Sequence, residues 1–97
     1  VTFNTDVSGN VVVYQVGKLI FAFCNITKPT AIINGEELFR INNCPKLVPS
    51  EWQVLMTASN TTPEGTIANL NADGSCGGWG NFPTNKTVCG LLCSVVA

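Results

Sequence analysis

Apolar residues in this chain recur with a period of two, in short runs that Gly, Pro and Asn interrupt. No segment of helical length shows a period of 3.6, so the pattern predicts an all-β protein. The first two runs, Val11–Val16 and Leu19–Cys24, are separated by Gly17-Lys18 and predict a β-hairpin. Both faces of this hairpin are apolar, so we expect its strands to be central in the fold or covered by another subunit.

A second hairpin is predicted around Asn34-Gly35, because this dipeptide readily adopts the positive φ of a tight turn. Its strands would be Ala31–Ile33 and Glu37–Ile41. Another strand is expected at residues 52–57, where Trp52, Val54 and Met56 alternate with Gln53, Leu55 and Thr57, and Trp52 is predicted to face the core.

The rest of the chain predicts a return strand at 66–70, a glycine-rich loop at 71–83, and one or two strands within 87–96. Seven or eight short strands favour an antiparallel β-sandwich of the immunoglobulin type or similar, with a small β-barrel as the alternative. No internal repeat or linker divides residues 1–97, so we expect a single domain.

Five cysteines in 97 residues are typical of a small domain stabilised by disulfides. We expect Cys24 to pair with Cys44, and Cys76 to pair with Cys89 or Cys93. The remaining thiol would either link two chains or pack as a buried free cysteine. The chain has no histidine and no CxxC pair, so we expect no zinc site.

Charge and composition favour a secreted protein. Only 11% of the residues are charged, and Asn and Thr supply most of the polar surface. Three N-glycosylation sequons begin at Asn25, Asn60 and Asn85. The chain starts at Val1 without a basic leader, which is typical of a mature product after removal of its signal peptide. We therefore expect an extracellular location.

The same properties exclude two classes of partner. The net charge is −1 and no basic cluster is present, so we expect no binding to nucleic acid. The longest apolar run, Leu19–Cys24, is far shorter than the roughly 20 residues of a membrane helix, so we expect no insertion into a membrane.

Catalysis has little support in the sequence. Without histidine, triads based on Ser-His or Cys-His are impossible within the chain. Glu36 and Glu37 would point to opposite faces of a strand, and a small β domain leaves little room for a cleft between Glu51 and Glu64. We expect no catalytic residue and no cofactor.

A calcium site is not expected either. Residues 71–75 resemble part of a calcium-binding loop, but Phe82 stands where the bidentate glutamate is required. The segment is therefore interpreted as a turn.

The segment 76–83 is the best candidate for ligand recognition. Its glycines free the backbone, Trp79 and Phe82 offer flat apolar rings, and Asn81 offers a hydrogen-bonding amide. Such a loop is suited to stacking on a sugar or inserting into a protein pocket. In the alternative interpretation Trp79 folds back and closes one end of the β fold.

In composition the chain resembles small secreted fungal effectors and immunomodulatory proteins, which are rich in cysteine, Asn and Thr and are β-structured. This resemblance implies a non-enzymatic protein that binds a host cell-surface receptor or glycan, and we expect it to act as a homodimer. A surface-active or structural protein of a cell wall or coat is one alternative, suggested by the low charge and the two-faced hairpin. An inhibitor of a secreted hydrolase, with the glycine-rich loop as its reactive element, is another.

Overall fold

A computed structural model of the chain describes residues 1–58, 62–80 and 82–97. Nine β-strands and no helix occur in these ranges, so none of the described residues forms a helix able to cross a membrane. The strands are β1 (Thr2–Phe3), β2 (Ser8–Val16), β3 (Leu19–Thr27), β4 (Glu36–Arg40), β5 (Leu47–Val48), β6 (Gln53–Thr57), β7 (Gly65–Leu70), β8 (Ser75–Trp79) and β9 (Thr87–Val96).

All paired strands are antiparallel and follow the order β1-β4-β8-β7-β6-β9-β3-β2, with β5 paired to β9. This is one nearly closed, barrel-like sheet. The expected all-β antiparallel class is confirmed, but the architecture follows the barrel alternative and not the two-sheet sandwich, because a continuous ladder joins every strand to the next.

The first hairpin forms as predicted, with Val16 opposite Leu19 and the ladder continuing to Ser8 opposite Thr27. β3 then pairs with β9 along its whole length. Alternate side chains of β3 point inward, which places Ile20 and Ile26 in the core. The other buried hydrophobic residues come from β3 itself, from β4 to β9 and from two loops: Val7, Ala22, Cys24, Leu38, Phe39, Leu47, Leu55, Ala68, Leu70, Cys76, Phe82, Val88 and Leu92.

The strand predicted at 52–57 is present as β6, but its faces are reversed. Trp52 is 62% exposed, while Leu55 and Thr57 point into the core. The prediction that Trp52 faces the core was therefore wrong. Side chains of a strand alternate with a period of two, so a shift of one residue in the assignment moves the whole set to the other face.

The second predicted hairpin does not form. Gly35 does adopt a positive φ of 84°, and the Glu36 amide donates to the Ile33 carbonyl, so the turn exists. Residues 31–33 are not a strand, however, and β4 pairs instead with β1 and β8. The turn positions β4 but does not connect two paired strands.

The predicted glycine-rich loop contains a strand, β8, that lies between β4 and β7. Its glycines allow close packing. A Cβ on Gly78 would lie 3.0 Å from Leu38 Cδ1, and one on Gly77 would lie 2.9 Å from Asn69 Oδ1. The sequence predicts a loop here because the glycines that let β8 pack closely against its neighbours are residues that usually interrupt strands.

All five cysteines lie in the described ranges, and all five are free thiols. Cys24 and Cys76 are buried in the core, where burial raises the pKa of Cys24 to about 12 and that of Cys76 well above its ordinary value. Cys93 is exposed on the outer face of β9. Cys89 lies on the same face, four residues earlier in the strand. The wall of the sheet thus separates Cys76 from its expected partners, and the predicted pairs are not formed.

Lys28 fixes the chain where β3 ends. Its side chain is 3% exposed, and its Nζ lies 2.8 Å from both Asp6 Oδ1 and Glu36 Oε2. The Thr30 hydroxyl donates a hydrogen bond to Asp6 and accepts one from Lys28. The cluster therefore joins the β1–β2 connection, the end of β3 and the start of β4.

The pKa values within this cluster follow from its contacts. Hydrogen bonding to Lys28 holds the pKa of Asp6 and of Glu36 below their ordinary values of 3.8 and 4.5. Burial lowers the pKa of Lys28, but its hydrogen bonds to the two carboxylates outweigh this and raise it. Since both carboxyl pKa values are lowered by folding, the cluster stabilises the fold above those ordinary values and loses this effect as the pH falls below them.

Replacing Lys28 with Met should lower the free energy of unfolding at neutral pH by about 1–3 kcal/mol, because two adjacent carboxylates would lose their common cation. The loss of stability below pH 4.5 should also be shallower than in the unmodified protein. Urea denaturation across this range measures both effects. Lys18→Met, at the exposed turn of the first hairpin, is the matched control and should change neither.

Candidate functional site

Two tryptophans form a partly exposed aromatic pair on the outside of the sheet. Trp52 immediately precedes β6, and Trp79 ends β8. Their ring centroids are 5.6 Å apart with an interplanar angle of 50°. Trp52 is mostly exposed and Trp79 is half-buried, so the pair offers an open, apolar surface to a ligand.

Strand register and two glycines bring the rings together. Gln53 is opposite Ala68 on β7, and Ile67 is opposite Trp79, so β7 lies between the two tryptophans. A Cβ on Gly35 would lie 3.3 Å from the Trp79 ring, and one on Gly77 would lie 3.4 Å from its Nε1. The indole therefore lies against backbone that carries no side chains.

A chain of hydrogen bonds runs from the Trp79 indole along β7 and the following turn. Trp79 Nε1 donates to Asn69 Oδ1 at 2.9 Å, Asn69 Nδ2 donates to Asn71 Oδ1 at 3.1 Å, and Asn71 Nδ2 donates to Ser75 Oγ at 3.1 Å. An indole nitrogen can only donate, so it fixes the orientation of the first amide and, through it, of the second.

At its far end, this row of hydrogen bonds reaches three charged side chains. Ser75 Oγ donates to Asp73 at 2.7 Å, and Arg40 donates to Asp73 at 3.1 Å and to Glu37 at 2.8 Å. Hydrogen bonds from the Ser75 hydroxyl and amide, aided by Arg40, lower the pKa of Asp73 to about 2. Arg40, Glu37 and Asp73 are each at least 40% exposed, so they also remain accessible to a ligand.

The candidate site therefore consists of an aromatic part and a polar part, which we call the tryptophan platform. Its members are Trp52, Trp79, Asn69, Asn71, Ser75, Asp73, Arg40 and Glu37.

The predicted ligand-binding residues divide in the structure. Trp79 belongs to the platform and contacts Trp52, so it does not close the end of the barrel. Phe82 is 5% exposed and packs in the core, so its ring is not available for stacking on a ligand. Asn81 lies outside the described residues.

Sequence analysis did not identify Trp52 and Asn69 as members of the site. The alternation along residues 52–57 was the available signal for Trp52, although it does not show which face is buried.

Two of the three sequons can be placed. Asn25 is exposed on β3, and Asn85 is exposed in a turn with a φ of 59°. Asn60 lies outside the described ranges. Glycosylation at any of them stays a prediction.

The acidic residues considered for catalysis or metal binding either form ion pairs and hydrogen bonds within the protein or lie apart from one another on the surface. Glu36 pairs with Lys28 and Glu37 with Arg40, while Glu51 and Glu64 are exposed. Asp73 in the 71–75 turn is bound by Ser75 and Arg40. Across the described ranges, no group of three or more Cys, Asp or Glu side chains is arranged to hold a metal ion.

A separate polar pocket of about 550 Å³ lies where β3, β6 and β9 meet. Hydroxyl, amide and ammonium groups dominate its lining, and none of the described residues that line it carries a carboxylate. This size falls within the range of small-molecule sites. Its lining residues are Asn25, Thr57, Ala58, Thr62, Lys86 and Thr87.

Neither a family model nor a curated protein matches this sequence. Among solved structures, the chain is similar to the head domain of phage bIL170, reported in a study of the receptor-binding domains of lactococcal phages. The TM-score is 0.66 with 11% identity, and the match covers 99% of this chain and 94% of that one. The likeness shows a shared fold.

Removing the amide of Asn69 should release the Trp79 indole. In a Trp52→Phe background, Trp79 is the single tryptophan. There, Asn69→Ala should shift the fluorescence emission maximum of Trp79 to longer wavelength and increase the quenching of this fluorescence by acrylamide. We also expect a loss of stability of about 1–3 kcal/mol, because the indole N–H and the Asn71 carbonyl lose their partner.

Asn10→Ala, at an exposed position on β2, is the control for this prediction. Equal spectra for Asn69→Ala and its parent would contradict the positioning role of Asn69.

Proposed function

We propose that this domain binds a glycan on a cell surface through the tryptophan platform, as a receptor-binding module without catalytic turnover. The observation that carries the proposal is the exposed Trp52–Trp79 pair, held next to an ordered row of polar side chains. The likeness in fold to a phage receptor-binding head domain supports a binding role.

The chemistry of the platform suits a sugar. The C–H face of a pyranose packs well on an indole ring, and its hydroxyl groups both donate and accept hydrogen bonds. Glu37 and Asp73 supply acceptors, and Arg40 supplies donors, at the far end of the hydrogen-bonded row that begins at the Trp79 indole. An apolar surface with a few fixed polar groups is typical of small-ligand sites, in which the polar groups set orientation and specificity.

The electrostatics of the platform support binding without turnover. Glycoside hydrolysis needs a carboxylic acid whose pKa is raised so that it can donate a proton at neutral pH. Asp73 has the opposite property, because Ser75 and Arg40 lower its pKa to about 2. It is therefore suited to accept hydrogen bonds from a ligand and not to protonate one.

Other sequence-based interpretations fare differently. The fungal immunomodulatory class finds no support, since the structural likeness is to a phage domain. The inhibitor hypothesis loses its basis because much of its reactive loop forms β8 inside the sheet.

An extracellular location remains part of our proposal, and so does a homodimer. A homodimer would present two platforms and raise the avidity for a surface carrying many copies of the glycan.

Substitution of either tryptophan by alanine should weaken glycan binding by roughly 30-fold or more, the loss expected for a hot-spot residue of about 2 kcal/mol. Screening the purified domain on an array of cell-wall glycans, followed by calorimetry with the best oligosaccharide, measures this effect.

Two controls locate the site. Tyr14→Ala removes an exposed aromatic ring on β2, away from the platform, and should leave the single-site affinity for the soluble oligosaccharide, measured by calorimetry, unchanged. Lys86→Ala tests the separate polar pocket. If Lys86→Ala abolishes binding and Trp52→Ala does not, the glycan binds in that pocket and the platform proposal is wrong.

A further inference from the structure

The outer surface of β2, β3 and β9 is an unusually apolar sheet face. Phe23 lies between Val12 and Leu91 in one cross-strand row, and Leu19 lies between Val16 and Val95 in another. These six side chains are 38–64% exposed. The row between them contains Tyr14, Phe21 and Cys93. We call these nine residues the apolar face.

No member of the apolar face carries a charge. Its polar groups are limited to the Tyr14 hydroxyl and the Cys93 thiol, while the nearby Gln53 amide already bonds the backbone of Cys93. A polar or charged ligand would find few partners here. The side chains of a complementary partner must therefore be apolar and uncharged as well.

The size of the face is that of an interaction patch. Strands lie about 4.8 Å apart and rise about 3.4 Å per residue, so its three five-residue segments span roughly 14 Å by 17 Å. Exposed Val48 on β5 and Met56 on β6 extend the surface further. With these two residues its projected area is about 250–350 Å², and its accessible area is larger because the exposed side chains stand out from the sheet; a contiguous apolar patch above a few hundred Å² is typical of an interaction site.

One edge of β2 also remains open. Its other edge pairs with β3 over nine residues, but no strand in the described part of the chain pairs with the open edge. Exposed edge strands usually carry Lys, Pro or inward-pointing charges that prevent association. The segment Ser8–Val16 has none of these, so the apolar face continues to an unprotected strand edge.

We propose that the apolar face is the contact surface between copies of this chain. A two-fold interface uses the same patch on both subunits, so the patch must be complementary to itself. A surface with apolar rows and no charges meets this condition, because no like charges are brought together. This inference does not rest on glycan binding, since the tryptophan platform is built from β4, β6, β7 and β8 and their adjoining turns.

The test is the mass of the domain in solution, measured by sedimentation equilibrium with a reductant present so that thiol cross-links do not contribute. We expect a multiple of the 10.3 kDa chain mass. Phe23→Lys and Leu91→Lys, both at exposed positions, should reduce the mass to 10.3 kDa without changing the circular dichroism spectrum or melting cooperativity.

Ile33→Lys is the control, because Ile33 is 79% exposed but lies in the loop before β4. It should leave the assembly intact, and the monomeric variants should keep the affinity of a single site for glycan. A mass of 10.3 kDa for the unmodified domain at all concentrations would overturn the proposal. Adsorption of that monomer at an air–water interface would instead support the surface-active alternative.

Discussion

The pairing of β9 with its neighbours holds the barrel-like sheet together. β3 covers one edge of β9 along nine residues, while β6 and β5 share the other edge at its two ends. Between these two ends, the described strands leave this edge of β9 unpaired, and the Gln53 side chain donates to the Cys93 carbonyl at 2.8 Å and accepts from the Cys93 amide at 2.9 Å. A side-chain amide thus replaces a backbone peptide, so the Cys93 backbone groups are satisfied although the strands diverge. Leu55 packs over Gly90 at the same divergence, where a Cβ would lie 2.7 Å from Leu55 Cδ2.

Small residues in β8 connect this architecture to the tryptophan platform. Gly77 and Gly78 admit Leu38 on one face and the Asn69–Trp79 contact on the other. Larger side chains at these two positions would crowd Leu38 and the Asn69–Trp79 contact. The same feature hides β8 from sequence analysis, since Gly lowers the apparent tendency to form a strand. The first hairpin was predictable because two runs rich in β-branched and aromatic residues flank a two-residue turn. Residues 52–57 were predictable as a strand because of the alternation of Trp52, Val54 and Met56.

What the sequence did not determine was which face of each strand is buried. Val54 and Met56 are as hydrophobic as Leu55, yet they lie on the outside. Outward apolar residues on β2, β3 and β9 make the two faces of the sheet equally plausible as core when a single chain is considered. The members of the platform are also dispersed in sequence, from Glu37 to Trp79, and only the pairing of β4, β8 and β7 brings them together. Register and topology, which depend on long-range contacts, were therefore needed to find the site.

The distribution of charge separates the two surfaces. The chain has five Lys or Arg and six Asp or Glu residues. Six of these form two clusters around β4, one centred on Lys28 and the other on Arg40. A chain with so few charges would gain solubility by spreading them over its whole surface. Their concentration around β4, together with an uncharged face on β2, β3 and β9, is what the proposed association through the apolar face requires, because burying that face would withdraw no charge from water.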